Sequence, residues 1–255
     1  MRVVITGAAG TLGQALARAL LQAGAISRDG EACPVTELIL IDSKPPPGGA
    51  EPEGATWLQA DLTSPGALAT IGSGVDAVFH LAAIAPEEAE ASYDTGLKGN
   101  LTVLQGLLSR CRRSESKPRI VFPSSHLVYG AAASGPVGDY TAPLPCTSYG
   151  ALKLVGEVLV GDFSRRGWVD GRCIRLPTVL PRGGSGGAAF PVHSGTPLLV
   201  ATVAEAVAHL LRAFDIPEET WTGSTQRGAL LIGGSLLKPL DVAGAGWIED
   251  LREEP

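Results

Sequence analysis

Val3-Val4-Ile5-Thr6-Gly7-Ala8-Ala9-Gly10-Thr11-Leu12-Gly13 stands near the start of the chain, and its reading decides the architecture. Val3 to Thr6 is short, apolar and β-branched, as expected of a strand covered on both faces. Leu12 to Ala23 is rich in Ala and Leu and reads as a helix. Between them three glycines recur at every third position. Glycine lets a backbone turn sharply and approach a ligand that a side chain would hold off. The free N–H groups of a helix start then meet negative charge. The stretch predicts a pyrophosphate cradle built from Gly7, Gly10, Thr11, Leu12 and Gly13. In a chain with 33 glycines the spacing alone says little. Its place between a strand and a helix carries the reading.

The same alternation continues. Leu38–Ile41, Thr56–Gln59, Ala77–His80, Arg119–Phe122 and Arg172–Arg175 read as further strands, with helices around Gly96–Arg112 and Tyr149–Phe163. Strands separated by helices need crossover connections, and these generate a parallel sheet. The expected fold is α/β, a doubly wound parallel sheet of the Rossmann type over residues 1–177. Residues 178–255 are expected to form a short C-terminal substrate lobe interleaved with the last sheet elements. There Arg182–Gly187 reads as a loop, Thr202–Phe214 as an amphipathic helix and Ala229–Ile232 as a last strand. Arg28–Thr36 and Pro45–Gly49 read as loops.

With 255 residues, 45% of them apolar, the chain has enough material for a sizeable core. Twenty Lys and Arg against 26 Asp and Glu give a net charge of −6 with no basic block, which excludes an electrostatic footprint for nucleic acid or an anionic membrane. No stretch reaches the ~18 uninterrupted apolar residues of a membrane span. Cys33, Cys111, Cys146 and Cys173 have neither redox nor zinc spacing, and they point to a reducing, cytoplasmic setting. His126, His193 and His209 share no spacing with carboxylates or thiols, so no metal site is expected.

Asp42 ends the second main strand of the sheet, where a carboxylate accepts hydrogen bonds from both adenosine ribose hydroxyls and repels a 2′-phosphate. This favours NAD over NADP. Asp42 lies 29 residues beyond Gly13 rather than the usual ~20, and the Arg28–Thr36 insertion accounts for the excess. Asp61 and Leu62 follow the next strand, where they either meet the adenine edge or form a plain turn. Tyr149 and Lys153 are four residues apart and share one helix face. A Tyr base working near neutrality needs its pKa lowered, and a neighbouring ammonium and the positive nicotinamide have the right sign. Ser125 ends the fifth strand, at the carboxyl edge where such sheets bind ligands. His126 lies beside it. Arg175 either holds a substrate carboxylate bidentately or forms a structural ion pair.

Taken in chain order, Gly7-x-x-Gly10-x-x-Gly13, Asp42, Asp61-Leu62, His80-Leu81-Ala82-Ala83, Ser124-Ser125, Val128-Tyr129-Gly130, Tyr149-x-x-x-Lys153 and Arg175-Leu176-Pro177-Thr178 resemble the extended short-chain dehydrogenase/reductase superfamily of NAD-dependent epimerases and dehydratases. Within it, Thr147–Lys153 and Asp162–Arg172 are similar to the D-erythronate dehydrogenase branch. The resemblance implies Tyr149 as base, Lys153 as its electrostatic partner and ribose anchor, and Ser125 as ligand of the substrate hydroxyl. It implies Leu81, Ala82, Ala83 and Pro177 in the cofactor site, with Ser125, His126, Tyr149 and Arg175 facing a small sugar acid. Asn100 takes the family's helix-asparagine position, with Val103 and Leu104 where Gly-Thr usually follows. The expected activity is NAD-dependent oxidation of a secondary hydroxyl to a 2-oxo acid. The alternatives are a sugar-nucleotide epimerase or dehydratase, and a shortened NAD-binding protein with little catalysis. A homodimer paired through Gly96–Arg112 and Tyr149–Phe163 is expected by analogy.

Overall fold

The computed structural model describes residues 1–71, 73–114, 116–132, 141–180, 200–218, 221 and 229–231. Its strands are β1 (Arg2–Thr6), β2 (Ala25–Arg28), β3 (Glu31–Pro34), β4 (Glu37–Asp42), β5 (Thr56–Gln59), β6 (Ala77–His80), β7 (Arg119–Ser125), β8 (Asp170–Leu176), β9 (Thr178–Leu180), β10 (Val200–Thr202) and β11 (Ala229–Leu231). The α-helices are α1 (Thr11–Ala23), α2 (Pro86–Ala91), α3 (Tyr93–Leu97), α4 (Val103–Cys111), α5 (Ser148–Arg165) and α6 (Val203–Asp215). A seven-stranded sheet runs in the order β11-β8-β7-β6-β1-β4-β5, every pairing parallel. Strand order reverses between β1 and β6, so a crevice opens there above the carboxyl ends of the strands.

Alternate residues of the strands face opposite layers. Val3 and Ile5 pack with Leu16 and Leu20 of α1 and with Leu210 and Phe214 of α6. Val4 faces the other way with Leu104 and Leu107 of α4 and Val160 of α5. Both faces are therefore apolar, which explains why Leu38–Ile41 reads as an unbroken apolar run.

Two elements differ from the sequence expectation. Arg28–Thr36 is not a loop: β2 and β3 form an antiparallel hairpin around Asp29-Gly30, both with positive φ (59° and 82°), the signature of a two-residue type I′ turn. The helix expected over Gly96–Arg112 begins earlier, with α3, and passes through a π-helical turn at Lys98–Thr102 before α4. After Pro177 the helix and the last strand read from the sequence are both present. β9 pairs with β10, α6 packs beneath the sheet beside α1, and β11 extends it next to β8. The loop read at Arg182–Gly187 and the residue His193 lie outside the described residues, as does Ile232.

Buried charge ties the hairpin to α6. Arg119 donates to Asp170 (2.6 Å), to Asp29 (2.9 Å) and to the carbonyl of Phe214. Arg172 donates to both oxygens of Asp170 (2.6 and 3.0 Å) and to the carbonyl of Ile216 (2.8 Å). The Asp215 carboxylate takes the Ser27 hydroxyl and the Gly30 amide. This cluster lies at the amino-terminal edge of β7 and β8, opposite the crevice.

Candidate active site

The glycine turn is shaped by contact as well as by curvature. A Cβ on Gly7 would stand 2.6 Å from the Ala82 nitrogen, and one on Gly13 would stand 2.3 Å from the Gly7 carbonyl oxygen. Gly7 also has a φ of 72°, in the left-handed region. Gly10 caps α1 with no side-chain partner, and the first turn carries no acidic residue. The amides of the first turn, at Thr11, Leu12 and Gly13, therefore meet no capping side chain and no carboxylate of their own helix. These residues fit a pyrophosphate, because the cradle is one that any side chain would fill.

Asp42 stands at the end of β4 and accepts from the Ala9 amide (2.9 Å) and the Lys44 amide (3.0 Å). The glycine turn itself thus orients the carboxylate expected to read the ribose. The Asp61 carboxylate is different. It accepts the amide and hydroxyl of Thr63 and the hydroxyl of Ser64, and these bonds hold its pKa below the ordinary value. Its side chain belongs to its own turn, and Leu62 packs against the core. The segment after β6 is pinned from below. The Leu81 amide donates to the Thr6 carbonyl (3.1 Å) and the Ala82 amide to the Thr6 hydroxyl (3.2 Å). That hydroxyl also bonds His80 Nδ1 at 2.8 Å. His80 is 1% exposed, and burial, reinforced by Lys153, pushes it down to about 3. Asn100 sits in the π-turn, accepts from the Ile84 amide (2.8 Å) and donates to the Ile84 carbonyl (3.2 Å). It fixes the backbone that follows Ala83. The wide turn lets a helix residue reach that loop without breaking the helix.

Ser125, at the end of β7, accepts from the Leu127 amide (3.2 Å) and keeps its own hydroxyl proton to donate. On either side of it, Ser124 Oγ and His126 Nδ1 are buried and have no partner among the described residues. Burial pushes His126 below its ordinary value, against a backbone bond at Leu176. Thr147 caps α5 by accepting from the Gly150 amide (3.0 Å), which places Tyr149 in the first turn. Lys153 is 4% exposed. Its ammonium donates to the Pro123 carbonyl (2.9 Å), 4.7 Å from the Phe122 ring centre and 5.6 Å from that of Tyr149. Burial pushes Lys153 down to about 8, offset in part by Cys173 and Glu157.

Tyr149 is pushed up to about 12, by burial first and then by the negative Glu87. The lowering that a base needs is therefore left to charge brought close to the hydroxyl, the positive nicotinamide included. Of the two roles open to Arg175, the structure shows the ion pair. It donates to both oxygens of Glu157 (2.9 and 2.7 Å) and to the Tyr129 hydroxyl (2.9 Å), and it is 3% exposed. Pro177 is buried between β8 and β9. Sequence reasoning missed Glu87, in the first turn of α2, and Glu157, although Glu157 lies four residues beyond Lys153 on the same stripe. Among the described residues no group of His, Cys, Asp or Glu is arranged to hold a metal.

Residues 3–227 match the family model described as the NAD dependent epimerase/dehydratase family. The chain is 38% identical to a D-erythronate dehydrogenase of Cupriavidus necator, over 99% of this chain and 81% of that protein. It is 37% identical to a D-erythronate dehydrogenase of Haemophilus influenzae, over 72% of this chain and 56% of that one. Its fold superposes on a nucleoside-diphosphate-sugar epimerase from Agrobacterium tumefaciens with a TM-score of 0.80 at 33% identity, covering 92% and 74% of the two chains. It also superposes on MoeE5 in complex with UDP-glucose and NAD, with a TM-score of 0.71 at 25% identity, covering 94% and 78%.

Proposed function

Because the chain belongs to the NAD dependent epimerase/dehydratase family, we propose that it is an NAD-dependent dehydrogenase that oxidises a secondary hydroxyl of a small sugar acid, D-erythronate being the first to test, to a 2-oxo acid. The observation that carries the reading is the pairing of Tyr149 with a buried Lys153 on one face of α5, the ammonium bonded to the Pro123 carbonyl of β7, the strand that ends at Ser125.

Bound NAD supplies the hydride acceptor and a positively charged ring. The chain supplies the rest. The amides of the glycine turn hold the pyrophosphate, and Asp42 accepts from the ribose hydroxyls. Leu81 to Ala83 and Pro177 line the cofactor. Ser125 donates to the substrate oxygen. Tyr149 takes the hydroxyl proton as the carbon gives up its hydride, and Lys153 stabilises the phenolate and anchors the nicotinamide ribose. His126 faces the substrate with a free ring nitrogen. Tyr149→Phe should abolish turnover of D-erythronate, followed as growth of reduced cofactor absorbance, while NAD affinity stays within a few-fold. Retained turnover in that variant would refute the assignment.

The likeness to a sugar-nucleotide epimerase favours a second reading, in which the hydride returns to the opposite face of the same carbon. Epimerised sugar nucleotide without net reduction of NAD would establish it. Binding of NAD without turnover of either substrate would leave a cofactor-binding protein. We further read Val155 and Val158, 44% and 64% exposed on α5, as the pairing face of a homodimer. The four free cysteines fit the reducing cytoplasm. No described helix is long and apolar enough to cross a membrane.

A further inference from the structure

Tyr149, Lys153 and Glu157 follow one another at four-residue intervals along α5, so all three lie on one stripe. A Lys and a Glu at that spacing ordinarily reach each other. Here no ion pair joins Lys153 to Glu157 among the described residues. Lys153 turns to the Pro123 carbonyl and lies against the rings of Phe122 and Tyr149. Both oxygens of Glu157 are taken by Arg175, from the neighbouring strand β8. The Tyr129 hydroxyl holds the guanidinium from a third side, and its ring lies 4.9 Å from the guanidinium carbon. Lys153, Glu157, Arg175 and Tyr129 are all buried. A buried ion pair is weak evidence for stability, because well-packed apolar residues often replace one at no loss. Its presence behind the Tyr–Lys pair calls for another role.

We propose that Arg175 is a positioning residue: it clamps Glu157 one helical turn behind Lys153, so that the carboxylate sustains the ammonium's charge from a distance and leaves it aimed at Tyr149. The inference rests on the assignment of Tyr149 and Lys153 made above. Released from Arg175, Glu157 would swing to Lys153 and draw the ammonium back along the helix. Deprived of Glu157, the ammonium would share its buried surroundings with a second, unbalanced cation. The other groups facing Lys153 are His80 from β6, which is neutral, Cys173 from β8, whose thiol burial pushes far up, and Tyr149 itself. Glu157 is therefore the carboxylate nearest along the stripe, and Arg175 decides which way it turns.

The test reads Lys153 directly and needs no substrate. The chain has five lysines, so labelling the lysine Cε carbons gives five resonances, with Lys153 identified by its disappearance in Lys153→Arg. The titration midpoint of Lys153 is followed with and without NAD. Glu157→Gln should lower it by about one unit or more, a tenfold loss of proton affinity. Arg175→Met should raise it by about as much. Glu157→Gln/Arg175→Met removes both charges at once, strands no buried ion, and should return the midpoint to near the wild-type value. Midpoints that stay put in both single variants, or move in the same direction, would overturn the inference. Should the single variants not fold, the conservative variants Glu157→Asp and Arg175→Lys are measured in their place, with the same signs expected and the same outcomes decisive. Turnover in Tyr149→Phe would remove the catalytic reading separately, since the lysine titration is measured without chemistry.

Discussion

His80 remains uncharged in the folded protein at neutral pH. Stacked on Phe122 and bonded to Thr6, it is pushed down by burial from an ordinary 6.5 to about 3. Its folded pKa is depressed, so the stability tied to it is complete above about pH 6.5 and is lost as pH falls toward about 3, where the unfolded chain binds a proton that the folded chain refuses. Below about pH 6 this contributes a slope approaching about 1.4 kcal/mol per pH unit. Denaturant melts across this range should show the slope, and His80→Asn should lose His80's share of it. His126 and His209 are also pushed down but are present in both proteins, so the difference isolates His80. Individual side chains were legible in the sequence where spacing fixes a shared face, as for Tyr149 and Lys153, or where a strand end fixes a place, as for Asp42 and Ser125. Arg175 was not, because a guanidinium suits a ligand carboxylate and Glu157 equally well. The pKa of Tyr149 was not legible either, since it depends on how deeply the hydroxyl is buried.

Among the elements, the strands and long helices stood out because their apolar periods are clear. The β2–β3 hairpin did not. Asp29-Gly30 carries its turn signal, but the flanking runs are polar and short, and what orders them is Asp215 and Arg119, far away in the chain. The π-turn at Lys98–Thr102 was equally invisible, because it answers to the Ile84 backbone rather than to its own residues. The hairpin's anchor is open to test at Asp170. Burial pushes this carboxyl up, but Arg172 and Arg119 outweigh it and hold the group below its usual value. Asp170→Asn would leave two buried guanidinium groups short of their shared counter-charge. The expected cost is about 3–5 kcal/mol, read as a lower urea midpoint at neutral pH. The same linkage has stability falling as acid carries pH down through the folded pKa of Asp170.

The architecture of the protein, a parallel sheet whose crevice opens between β1 and β6, followed from its first thirteen residues and the alternation after them. The helix and last strand of the C-terminal part were legible too, but their neighbours α1 and β8 were not, because an apolar period fixes a face and not its partner. Assembly is tested on α5. If two copies pair through Val155 and Val158, Val158→Glu should shift the sedimentation coefficient from dimer to monomer and leave the thermal midpoint of the fold little changed. The clasp of Asp29, Arg119, Asp170 and Arg172 with the end of α6 bears on how the chain is made. A ribosome delivers Asp29, Arg119 and Arg172 long before it delivers Phe214 to Ile216, whose carbonyls complete the cluster. Until then the nascent sheet holds guanidinium groups with their last acceptors missing, so its lower edge closes only after α6 has been made.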